Sequence, residues 1–238
     1  LFLGKELRHI SVGKFWGEDA AKVTRADKPE WADPLPVILD FKAQLDKAGI
    51  QLLVVPVPPK AIVYPDKVGD IAKEPAVSRL DPSHQEFYKL LREKGITVID
   101  LTDDFIKARS SDKDDQREYC KTDTHWSPFA CELAAKRVVE TAGNKLALPQ
   151  LRNPFQAETR TIEIQGDMEK ALRGEGGAKE TLKARIITPS GEDPKVTDTV
   201  DKTSPVLLIG DSHCLVFHAG GDMLATGAGL ADQLAFQL

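Results

Sequence analysis

Apolar and polar positions alternate in blocks along this chain. Residues 35–48 read as a helix, with Pro36 at its start and Gly49 as its stop. Ile50 to Val57 follows as a near-continuous apolar run rich in Val and Leu, the pattern of a strand buried on both faces. Ser83 and Glu86 have the spacing of a capping box, which predicts a second helix running to Gly95. Ile96 to Leu101 predicts a second buried strand. Helix, strand, helix, strand is the order of βαβ construction around a mainly parallel sheet.

Ser127-Pro128 predicts the start of a third helix, to about Thr141, because Ser caps well and Pro suits the first helical position. Residues 148–200 are polar, with weak alternation at Thr159–Ile164 and Leu182–Thr188, and predict a small β-rich excursion. Val206 to Ile209 predicts a third buried strand leading directly into Gly210-Asp211-Ser212. The expected architecture is a single layered α/β domain over residues 1–238. The chain starts abruptly at Leu1 and ends in an amphipathic pattern at Leu238, which suggests that part of the fold lies beyond it.

Composition narrows the function. With 238 residues, 41% hydrophobic and 29% charged, the chain suits one soluble α/β domain. The net charge of -5 and the absence of a Lys/Arg block argue against nucleic acid as the main partner. No apolar run has the length of a membrane span. The three cysteines are too few for a disulfide scaffold, and their spacing fits no zinc pattern. Composition alone leaves open whether they are thiols or include one bridge.

Two short blocks carry chemistry. Gly210-Asp211-Ser212-His213 stands where a predicted buried strand ends, the place where open α/β sheets bind ligands. A Ser presented there can attack, with the backbone N–H groups of the next turn holding an oxyanion. In Asp123-Thr124-His125-Trp126, Asp and His two residues apart in an extended loop point the same way. The carboxylate can then fix the imidazole tautomer and stabilise the imidazolium. Alone, the first block could be a strand-to-helix cap and the second a surface loop. Together each supplies what the other lacks, because an unactivated Ser is a weak nucleophile and needs a base.

The pair resembles the SGNH-hydrolase-like domain of the alginate O-acetyltransferases, the AlgJ and AlgX type. Gly210-Asp211-Ser212 resembles the serine block of that family, and Asp123-Thr124-His125-Trp126 its Asp-x-His block. The order, with Asp-x-His first, is the permuted one of the acetyltransferase group, and residues 55–65 resemble the segment after that group's first buried strand. The departures are His213-Cys214 after the serine, and further oxyanion and substrate groups that are expected only beyond Leu238.

The resemblance implies a three-layer α/β/α fold and a polysaccharide O-acetyltransferase. Ser212 would be the nucleophile, His125 the base and Asp123 its orienting carboxylate. No cofactor or metal is implied. It also implies a periplasmic location, a polysaccharide acceptor such as alginate, and an acetyl donor supplied by a membrane-bound acyltransferase. A carbohydrate acetylesterase with the same triad, and a non-catalytic carbohydrate-binding relative, are the alternatives. The backbone N–H groups of Ser212 and Gly220 are candidates for the oxyanion hole. Trp126, His213, His218 and Tyr64 are candidates to touch substrate, each with a blander reading as a packing or turn residue, and Lys60 is more simply a solvated lysine. In a periplasmic setting a Cys120–Cys131 disulfide would pin the Asp123–Trp126 loop, with Cys131–Cys214 as the rival pairing. His9 and His84 have no evident partner, and the acidic run Asp112–Asp115 reads as a solvated loop.

Overall fold

A computed structural model describes residues 1–24, 26–69, 79–109, 116–142, 154–191, 199 and 204–238. The Asp112–Asp115 run lies outside the described residues. Contacts divide the chain into two compact units, Phe2–Thr102 and Asp103–Leu238 with Leu1.

The N-terminal unit contains α1 (Gly4–Ser11), α2 (Ala20–Val23), α3 (Pro34–Lys47), β1 (Leu53–Val54), α4 (Lys60–Val63), α5 (Pro82–Glu93) and β2 (Thr97–Val98). Helix α3 starts where expected, and Asp33 caps it by accepting from the Leu35 N–H at 2.9 Å. The strands β1 and β2 pair in parallel, Leu53 with Thr97 and Val54 with Val98, as βαβ construction requires. They are shorter than the apolar runs, because each has one ladder partner among the described residues. Helix α5 begins at Pro82, so Ser83 falls inside its first turn and the expected capping box does not form. Phe15, Trp16, Phe87, Tyr88, Leu91, Ile96 and Val98 make the core. His9 and His84 do have partners, since their rings lie 5.3 Å apart against Phe15. Lys60 is buried rather than solvated, with its ammonium 5.7 Å from the Phe2 ring centroid.

Helix α6 (Thr102–Arg109) leads into the C-terminal unit. There follow α7 (Pro128–Ala142), β3 (Phe155–Ile164), α8 (Asp167–Arg173), β4 (Glu180–Pro189), α9 (Ser212–Leu215), β5 (Ala219–Gly220), β6 (Met223–Thr226) and α10 (Leu230–Gln237). Ala130, Cys131, Ala134 and Ala135 on α7 are fully buried, and such small side chains let α10 and β4 approach closely. The weak alternation of the polar region falls on β3 and β4, a ten-residue antiparallel hairpin in which Ile162 faces Leu182. Strand β4 buries Leu182, Ala184 and Ile186, whereas β3 is largely exposed and carries the charges of Glu158, Arg160 and Glu163, which suit the edge of the sheet that the described residues form.

Val206–Ile209 departs most from expectation. It forms no strand, and Leu207 and Ile209 are 82% and 71% exposed. An apolar run becomes a buried strand only when neighbours supply both ladder bonds and cover, and the described residues of its unit supply neither. Among the described residues, no helix is long and apolar enough to cross a membrane.

Candidate active site

The Asp123–Trp126 block lies in a loop that closes on itself. Tyr119 and Trp126 form an antiparallel bridge, Cys120 N–H donates to the His125 carbonyl at 3.4 Å, and Ser127 N–H donates to the Glu118 carbonyl at 2.9 Å. Ser127 then caps α7 by accepting from the Ala130 N–H at 3.2 Å. The Ser212 block ends its approach in a turn. Asp211 caps α9 by accepting from the His213 N–H at 2.9 Å, which sets Ser212 at the first helical position. A Cβ on Gly210 would lie 2.2 Å from the Cys214 sulfur, so glycine makes room for that thiol.

The two blocks, 87 residues apart, meet side chain to side chain. His125 Nε2 is 2.8 Å from Ser212 Oγ, and His125 Nδ1 is 2.6 Å from Asp123 Oδ1. The same carboxylate oxygen accepts from the His125 backbone N–H at 2.8 Å, and Asp123 Oδ2 accepts from the Asp167 N–H at 2.8 Å. Trp126 Nε1 donates to the His213 carbonyl at 3.0 Å and ties the base loop to the serine turn. With Nδ1–H donating to Asp123, Nε2 is left with a lone pair for the Ser212 proton.

Electrostatics favour this arrangement. Burial works against a charged His125, but the hydrogen bond and charge of Asp123, with Asp167 and Asp211 further away, outweigh it and hold the imidazole above its ordinary value of 6.5. Burial likewise opposes an ionised Asp123. The hydrogen bonds from the His125 side chain and from the backbone of His125 and Asp167 prevail and keep the carboxyl below its ordinary value. A buried carboxylate beside an imidazole that readily takes a proton is the electrostatic form of an activated serine. Among the described residues, the Ser212 N–H donates to no acceptor, so it is free to face an oxyanion.

The other candidates fare differently. Trp126 is 1% exposed and packs on Phe105 and His213, so it braces the loop and has no face for a sugar. His213 stands next to the site, its ring centroid 4.9 Å from that of His125 and its Nδ1 3.1 Å from Asp211 Oδ1. His218 is held through Nδ1 by Asp232 at 2.9 Å, a partner that no motif marks. Gly220 lies in the β5–β6 hairpin with φ 70°, where a Cβ would meet Thr226 at 2.8 Å, so the turn itself accounts for the glycine. Tyr64 ends α4 in the N-terminal unit.

Cys120, Cys131 and Cys214 all carry thiols, so neither expected disulfide forms. The backbone pairs of residues 118–127 already close the loop, and the Cys120 thiol turns to the Trp126 carbonyl at 3.7 Å. Sequence reasoning missed Asp167 and Glu180, which reach the base loop from a distant hairpin with no motif to mark them.

Comparison with known proteins gives the family and the fold. Residues 15–219 match the family described as SGNH hydrolase-like domain, acetyltransferase AlgX. The chain is 26% identical over 207 residues to the probable alginate O-acetylase AlgJ of Pseudomonas putida, covering 83% of this chain and 52% of that protein. It is 31% identical over 144 residues to the corresponding Pseudomonas syringae protein, covering 59% of this chain and 34% of that one. The chain thus spans about half or less of these relatives. The solved O-acetyltransferase domain of Pseudomonas putida AlgJ superposes with a TM-score of 0.52 at 26% identity, over 66% of this chain and 56% of that one. Pseudomonas aeruginosa AlgX gives 0.51 at 21% identity, over 76% and 40%, and shares the fold.

Proposed function

For a chain that belongs to the family of SGNH hydrolase-like acetyltransferase domains, we propose that Ser212, His125 and Asp123 transfer an acetyl group to hydroxyls of a polysaccharide such as alginate. The observation that carries this reading is the continuous line from Asp123 Oδ1 through the His125 ring to Ser212 Oγ, with bonds of 2.6 and 2.8 Å.

In the first half-reaction His125 Nε2 takes the Ser212 proton while Oγ attacks the acetyl carbonyl. The Ser212 N–H faces the oxyanion of the tetrahedral intermediate. The donor's leaving oxygen departs with the proton held by His125, leaving acetyl-Ser212. In the second half His125 removes the proton of the acceptor hydroxyl, whose oxygen attacks the acetyl-enzyme. Collapse releases the acetylated sugar and returns the proton to Ser212. Asp123 holds the imidazole in the tautomer that both halves need.

The family match runs through both units, which supports reading them as parts of one SGNH-like domain. The polysaccharide acceptor is supported by the names of the relatives, which include alginate O-acetylases. Resemblance to that family is also the support for a periplasmic location and for a membrane-bound acyltransferase as acetyl donor. A sugar hydroxyl must outcompete water, which well-oriented groups achieve through effective molarities of roughly 10⁵ M or more.

The test gives the protein a small activated acetyl ester with and without mannuronate oligosaccharides. Acetylated oligosaccharide, formed at the expense of free acetate as the acceptor rises, is the expected result. Acetate release that is unchanged at every acceptor concentration, with no acetylated sugar, assigns the same residues to an esterase. Absence of any acetyl-enzyme assigns the chain to a carbohydrate-binding relative.

A further inference from the structure

The β3–α8–β4 excursion holds the base loop at every residue from Lys121 to Thr124. Glu180, at the start of β4, accepts from the N–H groups of Lys121 and Thr122, both at 2.8 Å, and from the Thr122 hydroxyl at 2.6 Å. That hydroxyl accepts in turn from the Gly166 N–H at 3.1 Å, and the Thr122 carbonyl accepts from the Glu169 N–H at 3.1 Å. Asp167, the first residue of α8, accepts from the Thr124 N–H at 2.8 Å with Oδ1 and from the Thr124 hydroxyl at 2.6 Å with Oδ2. Its own N–H donates to Asp123 Oδ2 at 2.8 Å. Thr124 lies between Asp123 and His125, so one residue grips the catalytic loop on both sides of the step that aims the base.

The closeness of this grip is visible at Gly166. A Cβ there would lie 2.3 Å from the Thr122 carbonyl carbon, 2.4 Å from its oxygen and 2.5 Å from Asp123 Cβ. Only a glycine lets the hairpin approach the loop backbone this far. Carboxylate oxygens of Asp123 and Asp167 and a ring nitrogen of His125 lie within 4.8 Å of one another, so the Asp167 charge also acts on the imidazole.

We infer that Asp167 is a positioning residue for the triad: it fixes Asp123 through its N–H and Thr124 through its carboxylate, and so aims His125 at Ser212. This rests on the triad reading above. The insertion is then part of the catalytic scaffold and not a surface ornament. The groups that face His125 are Asp123 from its own loop, Asp167 from α8, and Asp211 and His213 from the serine turn. Asp167 is the member of this set that both bonds the loop and adds charge from another element.

The test measures pH–rate profiles of ester turnover for wild type, Asp167→Asn and Thr124→Val, with Ser212→Ala run alongside. Asn keeps the shape and the backbone N–H but removes the charge. At a separation within 4.8 Å, losing that charge should lower the midpoint of the acid limb by about half a pH unit or more, even with water-like screening. Thr124→Val keeps the charge and removes one grip. It should lower kcat about tenfold or more at unchanged KM, with the acid limb in place. A hydrogen bond with a purely structural role moves melting temperature and leaves the limb unmoved. An unmoved acid limb in folded Asp167→Asn overturns the inference. If Asp167→Asn does not fold, a wild-type kcat in Thr124→Val overturns it instead. Full activity in Ser212→Ala overturns the triad reading itself, whereas an inactive Ser212→Ala with an unmoved Asp167→Asn limb overturns only the role of Asp167.

Discussion

His125 Nε2 and Ser212 Oγ, separated by 87 residues of chain, lie 2.8 Å apart. The two loops that carry them are tied at a second point, where Trp126 Nε1 donates to the His213 carbonyl at 3.0 Å. The approach of the two side chains is therefore accompanied by a tie from the Trp126 indole to the backbone of the serine turn.

Removing triad members singly or together tests that they act as a unit. Ser212→Ala and His125→Ala are each expected to lower kcat on a small activated ester by about 10³-fold or more, with the double variant within a few-fold of either single. Additive losses in the double variant contradict a shared step.

The pH dependence follows from the signs of two shifts. His125 must be neutral to accept the Ser212 proton, and Asp123 holds its folded value above 6.5 despite burial. kcat/KM should therefore rise with pH along a limb centred above pH 6.5, and Asp123→Asn should move that limb to lower pH. Stability carries the same signs. The contribution of His125 is complete below about pH 6.5 and is lost as pH rises through its folded value. That of Asp123, whose folded value is lowered, is complete above its unfolded value and is lost as pH falls through the folded one. An acid limb centred below pH 6 contradicts the assigned base.

Thiol chemistry separates the three cysteines. Cys120 and Cys131 are fully buried, and burial raises the thiols of Cys131 and Cys214 above the ordinary range. Native protein should show three thiols by mass after alkylation under denaturing conditions. Without denaturant Cys214, the least buried, should react first. A peptide pair cross-linked through Cys120–Cys131 or Cys131–Cys214 contradicts this.

Among the described residues, Arg79 is the cation that pairs with two inward carboxylates of the N-terminal unit. Its guanidinium reaches Asp81 and Asp100, both at 2.6 Å, while Asp81 is 1% exposed at its side chain. Arg79→Ala should lower stability by about 3 kcal/mol near neutral pH, because it leaves a buried charge without its partner. The difference from wild type should shrink in acid as Asp100 protonates, its carboxyl held below the ordinary value by Arg79 against the cost of burial, and is read from denaturant melts at several pH values. Equal stability of the two proteins at pH 7 contradicts the role given to Arg79.

The side chains of the candidate site are more legible in the sequence than the sheet. Asp123, His125 and Ser212 stand in short motifs whose residue types suggest the roles proposed for them, and the helices at 34–47, 82–93 and 128–142 announce themselves through Pro, Asp, Ser and Gly at their ends. Val206–Ile209 was misleading because an apolar run reports a wish for cover, while a strand needs a partner. For Trp126 the sequence offers both substrate contact and packing, and its burial decides for packing. Asp167 and Glu180 were invisible for a different reason. They are ordinary acidic residues in a polar stretch, and only the pairing of β3 with β4 brings them to Thr122 and Thr124.

The central claim is a covalent acetyl-Ser212. Incubating the protein with an activated acetyl ester, quenching in acid and mapping peptides by mass spectrometry tests it directly. The account predicts an addition of about 42 Da on the peptide that contains Ser212, its formation slowed in His125→Ala and abolished in Ser212→Ala. An adduct confined to another residue, or turnover of the ester at wild-type rate by Ser212→Ala, would contradict it.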